Sequence, residues 1–157
     1  MKKWIWFIIA VVISFIPGIF GMFFTPHGAS NMWYNGLAIT GLTPPGWVFG
    51  VAWTILYFLL GWALYLVIVH ARKHAEKISA YVLFGIQLIL NGLWSYVFFG
   101  AHLAGWALVV LLGLFIISAW MAREFFRVDR RTAYMTVLYL LWLLFAFYMN
   151  AYVVLMN

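Results

Sequence analysis

The chain has 157 residues, of which 68% are hydrophobic and only 8% charged, and nine Lys and Arg against three Asp and Glu leave a net charge of +6. Soluble domains carry roughly 25% charged residues, so the composition excludes a water-soluble globular domain; the absence of cysteine excludes disulfides and thiol nucleophiles. The positive excess is not a nucleic-acid footprint, because it falls in short segments between long apolar runs, and no nucleic-acid partner is expected.

The first apolar run, Trp4 to Phe24, follows Lys2 and Lys3. A charged start before an apolar run suits a signal peptide, but this run is longer than an h-region and no clean small-x-small cleavage site follows, so it reads as a retained helix. Pro17-Gly18 inside it frees a backbone carbonyl and predicts a bend. The loop from Thr25 to Pro45 comes next and carries Trp33-Tyr34-Asn35-Gly36-Leu37 and then Thr43-Pro44-Pro45-Gly46-Trp47. Tandem prolines fix φ and keep the residue before them out of the helix, which makes a rigid lintel over the bundle mouth with Trp33 and Tyr34 as a lid.

The second run, Gly46 to Val69, places Trp53 and Tyr57 four residues apart, with Thr54 adjacent. The third, Ser79 to Phe99, has Gln87, Asn91 and Ser95 at four-residue spacing along one helix face, with Trp94 beside them. A short turn at Gly100 to His102 leads to the fourth run, Leu103 to Ala122. The fifth, Thr132 to Met156, aligns Tyr139, Trp142, Ala146 and Asn150 in one stripe.

Each run has about 20 residues or more, enough at 1.5 Å per residue to cross the roughly 30 Å hydrocarbon core. Lipid offers no partner for an unpaired backbone amide, so the runs must be helices or closed-barrel strands. Continuous apolar stretches such as Leu108 to Trp120 lack the alternation of barrel strands. The prediction is an all-α integral membrane protein: one five-helix domain over residues 1–157, with helices at about 4–24, 46–69, 79–99, 103–122 and 132–156 and an outer loop over 25–45. Lys2, Lys3, Arg72, Lys73, Lys77, Arg123, Arg127, Arg130 and Arg131 then all share one side. The positive-inside rule makes that side cytoplasmic, with the N-terminus inside and the C-terminus outside. Helical spans favour a bacterial inner membrane over an outer one.

No Asp, Glu, Lys, Arg or His falls in the middle of a span. Intramembrane charge marks proton relays and ion pathways, so its absence argues against a proton-coupled transporter or channel, though not against a passive carrier. Broken-helix inverted repeats are not evident either. The interior polarity is neutral. Amides and hydroxyls of this kind also serve as ordinary glue between helices, each worth about 1 kcal/mol or less. Three helices each pairing a neutral polar group with a large aromatic point further, to a lining for a flat, largely apolar molecule held by a few hydrogen bonds.

Of the ten tryptophans, Trp4, Trp6, Trp47, Trp106 and Trp120 lie near span ends, where an interfacial aromatic belt accounts for them. Trp62 reads as packing. Trp53, Trp94 and Trp142 lie at apolar depth, where an indole N–H needs a partner. His70 and His74 have metal-ligand spacing, but Arg72, Lys73 and Lys77 surround them, so no metal site is expected. His27 and His102 read as outer-loop residues. No Ser-His-Asp set, phosphate-binding loop or dinucleotide fingerprint is present.

These segments together resemble the TspO/MBR family, the tryptophan-rich sensory proteins related to the mitochondrial translocator protein. The resemblance rests on Trp33-Tyr34 through Leu37, on Pro44-Pro45 … Trp47 … Phe49 … Trp53 … Leu56-Tyr57, on Gln87-Leu88 … Asn91 … Trp94 … Phe98-Phe99, and on Tyr139-Leu140 … Trp142 … Ala146 … Asn150. It implies a five-helix fold binding porphyrins, and in some members sterols or benzodiazepine-type ligands, beneath the first loop. By that resemblance Tyr34, Pro44, Pro45, Trp53, Asn91, Trp94 and Trp142 line the pocket, with Gln87 and Ala146 near and Trp33 in the lid. It also implies a tendency to homodimerise. The chain departs from the family where Lys-Pro and a further Trp usually follow the Trp-Tyr motif; here Ile39-Thr40-Gly41-Leu42 stand there. Asn35 replaces a common acidic residue, and Leu138 a common proline.

The leading expectation is therefore a membrane receptor or sensor for a porphyrin of the protoporphyrin IX or haem type, needing no separate cofactor and surrounded by membrane lipid. The alternatives are a light- and oxygen-dependent porphyrin-degrading enzyme with Trp53 and Trp142 as reactive residues, a tetrapyrrole carrier, and a purely structural protein.

Overall fold

A computed structural model describes residues 3–25 and 32–157. Lys2 and His27 lie outside the described residues. Five helical segments are long and apolar enough to cross a membrane, at Lys3–Met22, Gly46–His70, His74–Gly100, Ala104–Val128 and Thr132–Met156. The protein is an all-α membrane bundle.

The first span is two helices, α1 (Lys3–Ser14) and α2 (Ile16–Met22), broken at Phe15. Pro17 causes the break, because it has no N–H to continue the ladder; Ile19 N resumes it by bonding to Phe15 O at 3.0 Å. A short turn of helix, α3 (Met32–Asn35), lies in the first loop. The remaining spans are α4 (Gly46–His70), α5 (His74–Ser95) with a widened π turn at Tyr96–Gly100, α6 (Ala104–Val128) and α7 (Thr132–Met156). Around the bundle α1 packs on α4, α4 on α7, α7 on α6 and α6 on α5, and α2 closes the circuit against α5. The break at Phe15 thus lets one span serve two neighbours.

Two helices run further than the apolar pattern predicts. α5 begins at His74 rather than near Ser79, because the Glu76 carboxylate accepts from the backbone N–H groups of Arg72 and Lys73, each at 3.2 Å, and caps the extra turn. α6 continues past Ala122 to Val128, carrying Arg127 paired with Glu124 at 2.9 Å one turn away. A hydropathy window stops at charge, whereas the helix continues past it.

Charge gathers at one end. Phe7 meets Tyr65 at 5.4 Å and Phe15 meets Tyr57 at 5.7 Å, so α1 runs antiparallel to α4 and brings Lys3 toward the His70 end. There His70 Nδ1 lies 3.2 Å from Asp129 Oδ2, joining the α4–α5 and α6–α7 turns. Arg131 Nη2 donates to the same oxygen at 2.7 Å. Hydrogen bonds from Arg131 hold the Asp129 carboxyl below its ordinary range, assisted by the charge of Arg131 and His70. A carboxylate so favoured contributes stability at neutral pH that disappears as pH falls through its lowered pKa. Asp129→Asn is expected to flatten the acid side of the stability–pH curve below about pH 4. The effect is small because solvent screens the pair. Chemical denaturation in detergent between pH 3 and 7 checks it, and an unchanged acid limb would mean the cluster is neutral for stability.

Large apolar side chains cover the outside, among them Leu155 at 81% exposure and Ile89 at 70%. Among the described residues the buried polar ones are Ser14, Thr40, Gln87, Asn91, Ser118, Thr132, Thr136 and Asn150, all uncharged. This is the pattern of a bundle solvated by lipid. The five span-end tryptophans are exposed as an interfacial belt requires. Trp62, expected to pack inside, instead lies 39% exposed with its ring edge-on to Phe58.

Candidate functional site

The polar stripes of α4, α5 and α7 converge at the bundle centre. The Tyr57 hydroxyl donates to Asn91 Oδ1 at 2.9 Å, Asn91 Nδ2 donates to the Tyr139 hydroxyl at 2.9 Å, and that hydroxyl donates to Gln87 Oε1 at 3.0 Å. All four residues are buried. The chain of bonds spans three helices and fixes the amide of Asn91, since both of its ends are engaged. Tyr57 is braced from the other side, where Ser14 Oγ donates to its backbone carbonyl at 2.6 Å. Ser95, third member of the α5 stripe, is not part of this network; it faces α2 at Gly21.

An aromatic layer adjoins this network. Trp53 stacks on Tyr57 with centroids 5.2 Å apart and presents edges to Trp142 at 6.2 Å and Tyr139 at 6.4 Å. Trp142 also meets Phe49 at 5.8 Å and Phe145 at 5.7 Å. Its indole Nε1 is buried without a hydrogen-bond partner among the described residues. Trp94 stacks on Phe98 at 5.4 Å and donates to Asn150 Oδ1 at 3.1 Å, while Asn150 Nδ2 donates to the Ala104 carbonyl at 2.9 Å. That bond satisfies one deep indole, as its burial requires.

The loop closes the opposite end from the charges. Trp33 stacks on His102 at 4.3 Å and meets the edge of Phe98 at 5.6 Å. His102 has φ of 58°, a left-handed backbone uncommon outside glycine, and this places its ring beneath Trp33. Tyr34 rests on Phe99 at 5.7 Å, and burial there pushes its hydroxyl pKa up. Asn157 holds Ala38 through two hydrogen bonds of 2.9 and 3.2 Å, tying the loop to the end of α7. Thr40 adds a bond of 3.1 Å to the Tyr148 hydroxyl. Pro45 caps α4 in extended conformation, with φ −60° and ψ 149°, as the tandem prolines predict.

Of the residues singled out from sequence, Trp53, Gln87, Asn91, Trp142 and Ala146 come together with Trp94 in the main core. Trp33 and Tyr34 pack in a second cluster with Phe98, and Trp94 touches both clusters. Pro44 and Pro45 stand at the rim. Tyr57 and Tyr139 stood in the predicted stripes but not in the predicted lining, and both prove central. Phe49 stood in the predicted motif but not in the predicted lining, and it proves to pack on Trp142; Ser118 carried no signal beyond a lone hydroxyl inside an apolar run. The Trp53 and Trp142 rings meet edge to face within this layer. An apolar groove of about 350 Å³ runs between α4 and α7, shares Trp142 and Phe145 with the aromatic layer, and is lined further by residues including Ile55, Leu59 and Leu141.

Among the described residues no three His, Cys, Asp or Glu gather as a metal-binding group. The chemistry the arrangement offers is aromatic stacking and neutral hydrogen bonding.

Comparison with known proteins agrees with this architecture. The family model for the TspO/MBR family matches residues 8–156. The chain is similar to the tryptophan-rich protein TspO of Chlorobaculum tepidum, 40% identical over 142 residues that cover 89% of this chain and 88% of the relative. It is similar to the protein of the same name from Archaeoglobus fulgidus at 35% over 142 residues, 89% of each chain. It is 38% identical to the translocator protein of Homo sapiens over 127 residues, 79% of this chain and 74% of the relative. With the five-helix bundle and the tryptophan-rich centre already in place, these matches establish that the chain belongs to the TspO/MBR family.

Proposed function

We propose that this protein is a membrane receptor for a porphyrin such as protoporphyrin IX, or a similarly flat apolar molecule, taken up between α4, α5 and α7 beneath the first loop. The observation that carries the reading is the layered centre: the rings of Trp53 and Trp142 adjoining the Tyr57–Asn91–Tyr139–Gln87 network. Aromatic faces suit a flat macrocycle, and a few fixed polar groups set its orientation. Family membership supports the same ligand class. Residues Tyr34, Pro44, Pro45, Trp53, Gln87, Asn91, Trp94, Trp142 and Ala146 form the proposed binding set, with Trp33 in the lid. The gathering of basic residues at one end supports a cytoplasmic N-terminus and an outward-facing loop.

A second reading is supported by the contact of Trp53 with Trp142. An excited porphyrin between two oxidisable indoles can be degraded with oxygen as oxidant. One experiment addresses both: an absorption titration with protoporphyrin IX in detergent, first in the dark and then under light. Saturable binding in the dark is expected. Changing Trp53 and Trp142 together to Leu is expected to weaken it about tenfold or more, since each stacking ring contributes roughly 0.5–1.5 kcal/mol. Unchanged affinity in the double variant would remove these residues from the site. Protein-dependent bleaching under light, lost in that variant, would favour the enzyme.

A further inference from the structure

The basic end of the bundle adjoins the apolar groove between α4 and α7. There the His70–Asp129 contact of 3.2 Å joins the α6–α7 turn to the end of α4. The three acidic residues of the chain are all engaged at this end. Glu76 caps α5, Glu124 pairs with Arg123 and Arg127, and Asp129 holds His70 and Arg131. Arg72, Lys73, Lys77 and Arg130 have no carboxylate partner among the described residues. Arg130 is exposed and stands two residues before α7. From there one stripe runs along α7: Tyr134, Leu138, Leu141 and Phe145, at i, i+4, i+7 and i+11. Tyr134 is 80% exposed, as a ring at headgroup level is. Leu138, Leu141 and Phe145 line the groove, and Ile55 and Leu59 of α4 form its other wall. At 1.5 Å per residue the groove lies about 9 to 20 Å from the first residue of α7. One leaflet of the hydrocarbon core is about 15 Å deep, so the groove falls within the leaflet on the basic side.

We propose that this seam is a binding site for an anionic phospholipid, with an acyl chain laid in the α4–α7 groove and the headgroup phosphate at Arg130. Charge complementarity selects the headgroup. The planar guanidinium fork matches phosphate oxygens, and Asp129 does not compete for Arg130 because Arg131 and His70 already occupy it. The groove selects the chain. Its lining is aliphatic and aromatic without a charged residue, and Ile55, Leu138 and Leu141 are each about half exposed, so it opens sideways to lipid. A zwitterionic lipid has an equal claim on the groove but a weaker one on the uncompensated cation. The site meets the proposed porphyrin set only at Trp142 and does not depend on that reading.

Native mass spectrometry of the detergent-solubilised protein tests this, with phosphatidylglycerol and phosphatidylcholine of identical chains added at equal concentration. Wild-type protein is expected to retain phosphatidylglycerol about fivefold more, the factor that one basic residue near the membrane surface supplies. Arg130→Gln is expected to abolish that preference. Ile55→Trp, which fills the groove, is expected to lower retention of both lipids severalfold. Lys77→Gln removes an equal charge from α5, which packs on α6 and α2 across the ring from the seam, and is expected to keep the preference. Thermal unfolding checks that each variant folds. Equal retention of the two lipids by wild-type protein overturns the proposal. So does an equal loss in the Arg130 and Lys77 variants, because the preference would then be diffuse attraction by the whole basic end. Unchanged retention in Ile55→Trp removes the groove from the site. Inorganic phosphate, added at matched ionic strength, is expected to leave the bound lipid in place; displacement by it would assign the site to a free anion and overturn the lipid.

Discussion

Replacing Gly61 with valine is expected to lower bundle stability by about 1–3 kcal/mol, the usual cost of forcing extra atoms into a packed interface. A Cβ at that position falls 2.6 Å from Val11 Cα, 2.9 Å from Ser14 Oγ and 3.0 Å from the Ala10 carbonyl oxygen. Two of those three atoms are backbone, so α1 must move as a body. Small residues let helices approach this closely in lipid, where packing replaces the hydrophobic drive to associate. Moving α1 also disturbs the bond from Ser14 Oγ to the Tyr57 carbonyl, and with it the helix that carries Trp53 and Tyr57. Gly85→Ala on α5 is the matched control, because a Cβ there meets nothing within 4 Å. That variant is expected to hold its stability or gain up to about 1 kcal/mol of helix propensity. Thermal unfolding in detergent distinguishes the two, and equal shifts would show that close approach at Gly61 is not limiting.

Asn91→Leu is the second large effect, with an expected loss of about 1–3 kcal/mol and weakened porphyrin binding. Interhelical hydrogen bonds in membranes average well under 2 kcal/mol, so the missing bonds alone are the smaller part. The larger part is the Tyr57 hydroxyl, left buried with no acceptor, beside a Tyr139 hydroxyl that loses one of its donors. This separates into a double-mutant cycle. Tyr57→Phe should cost measurably less in the Asn91→Leu background than in wild-type protein, with a coupling of about 0.5–3 kcal/mol. Strict additivity would show that the two side chains do not share a bond in solution.

Much of the architecture is legible in the chain before any coordinates. Five runs of sufficient apolar length force helices, because a backbone in lipid has only itself to bond to. Pro17 announces an interruption, and the structure places it at Phe15. The period of 3.6 residues aligns Gln87 with Asn91 on α5 and Tyr139 with Trp142 and Ala146 on α7, so the inward faces are readable.

Periodicity identifies a face but not what the face meets. Nothing local makes Tyr139 the partner of both Asn91 and Gln87 across separations of 48 and 52 residues. Nor does it seat Trp94 on Asn150 while leaving the Trp142 indole without a partner among the described residues. Ser118 reads as one hydroxyl in an apolar helix until α6 packs between α5 and α7 and buries it completely. The order of helices around the bundle is likewise set by packing, where Gly61 admits α1 against α4 and the break at Phe15 sends α2 to α5. Sequence alone determined the helices, their inward faces and the one-sided charge, because these follow from hydropathy and local geometry. The partners of each buried polar group were decided by tertiary structure, because they depend on contacts between residues far apart in the chain.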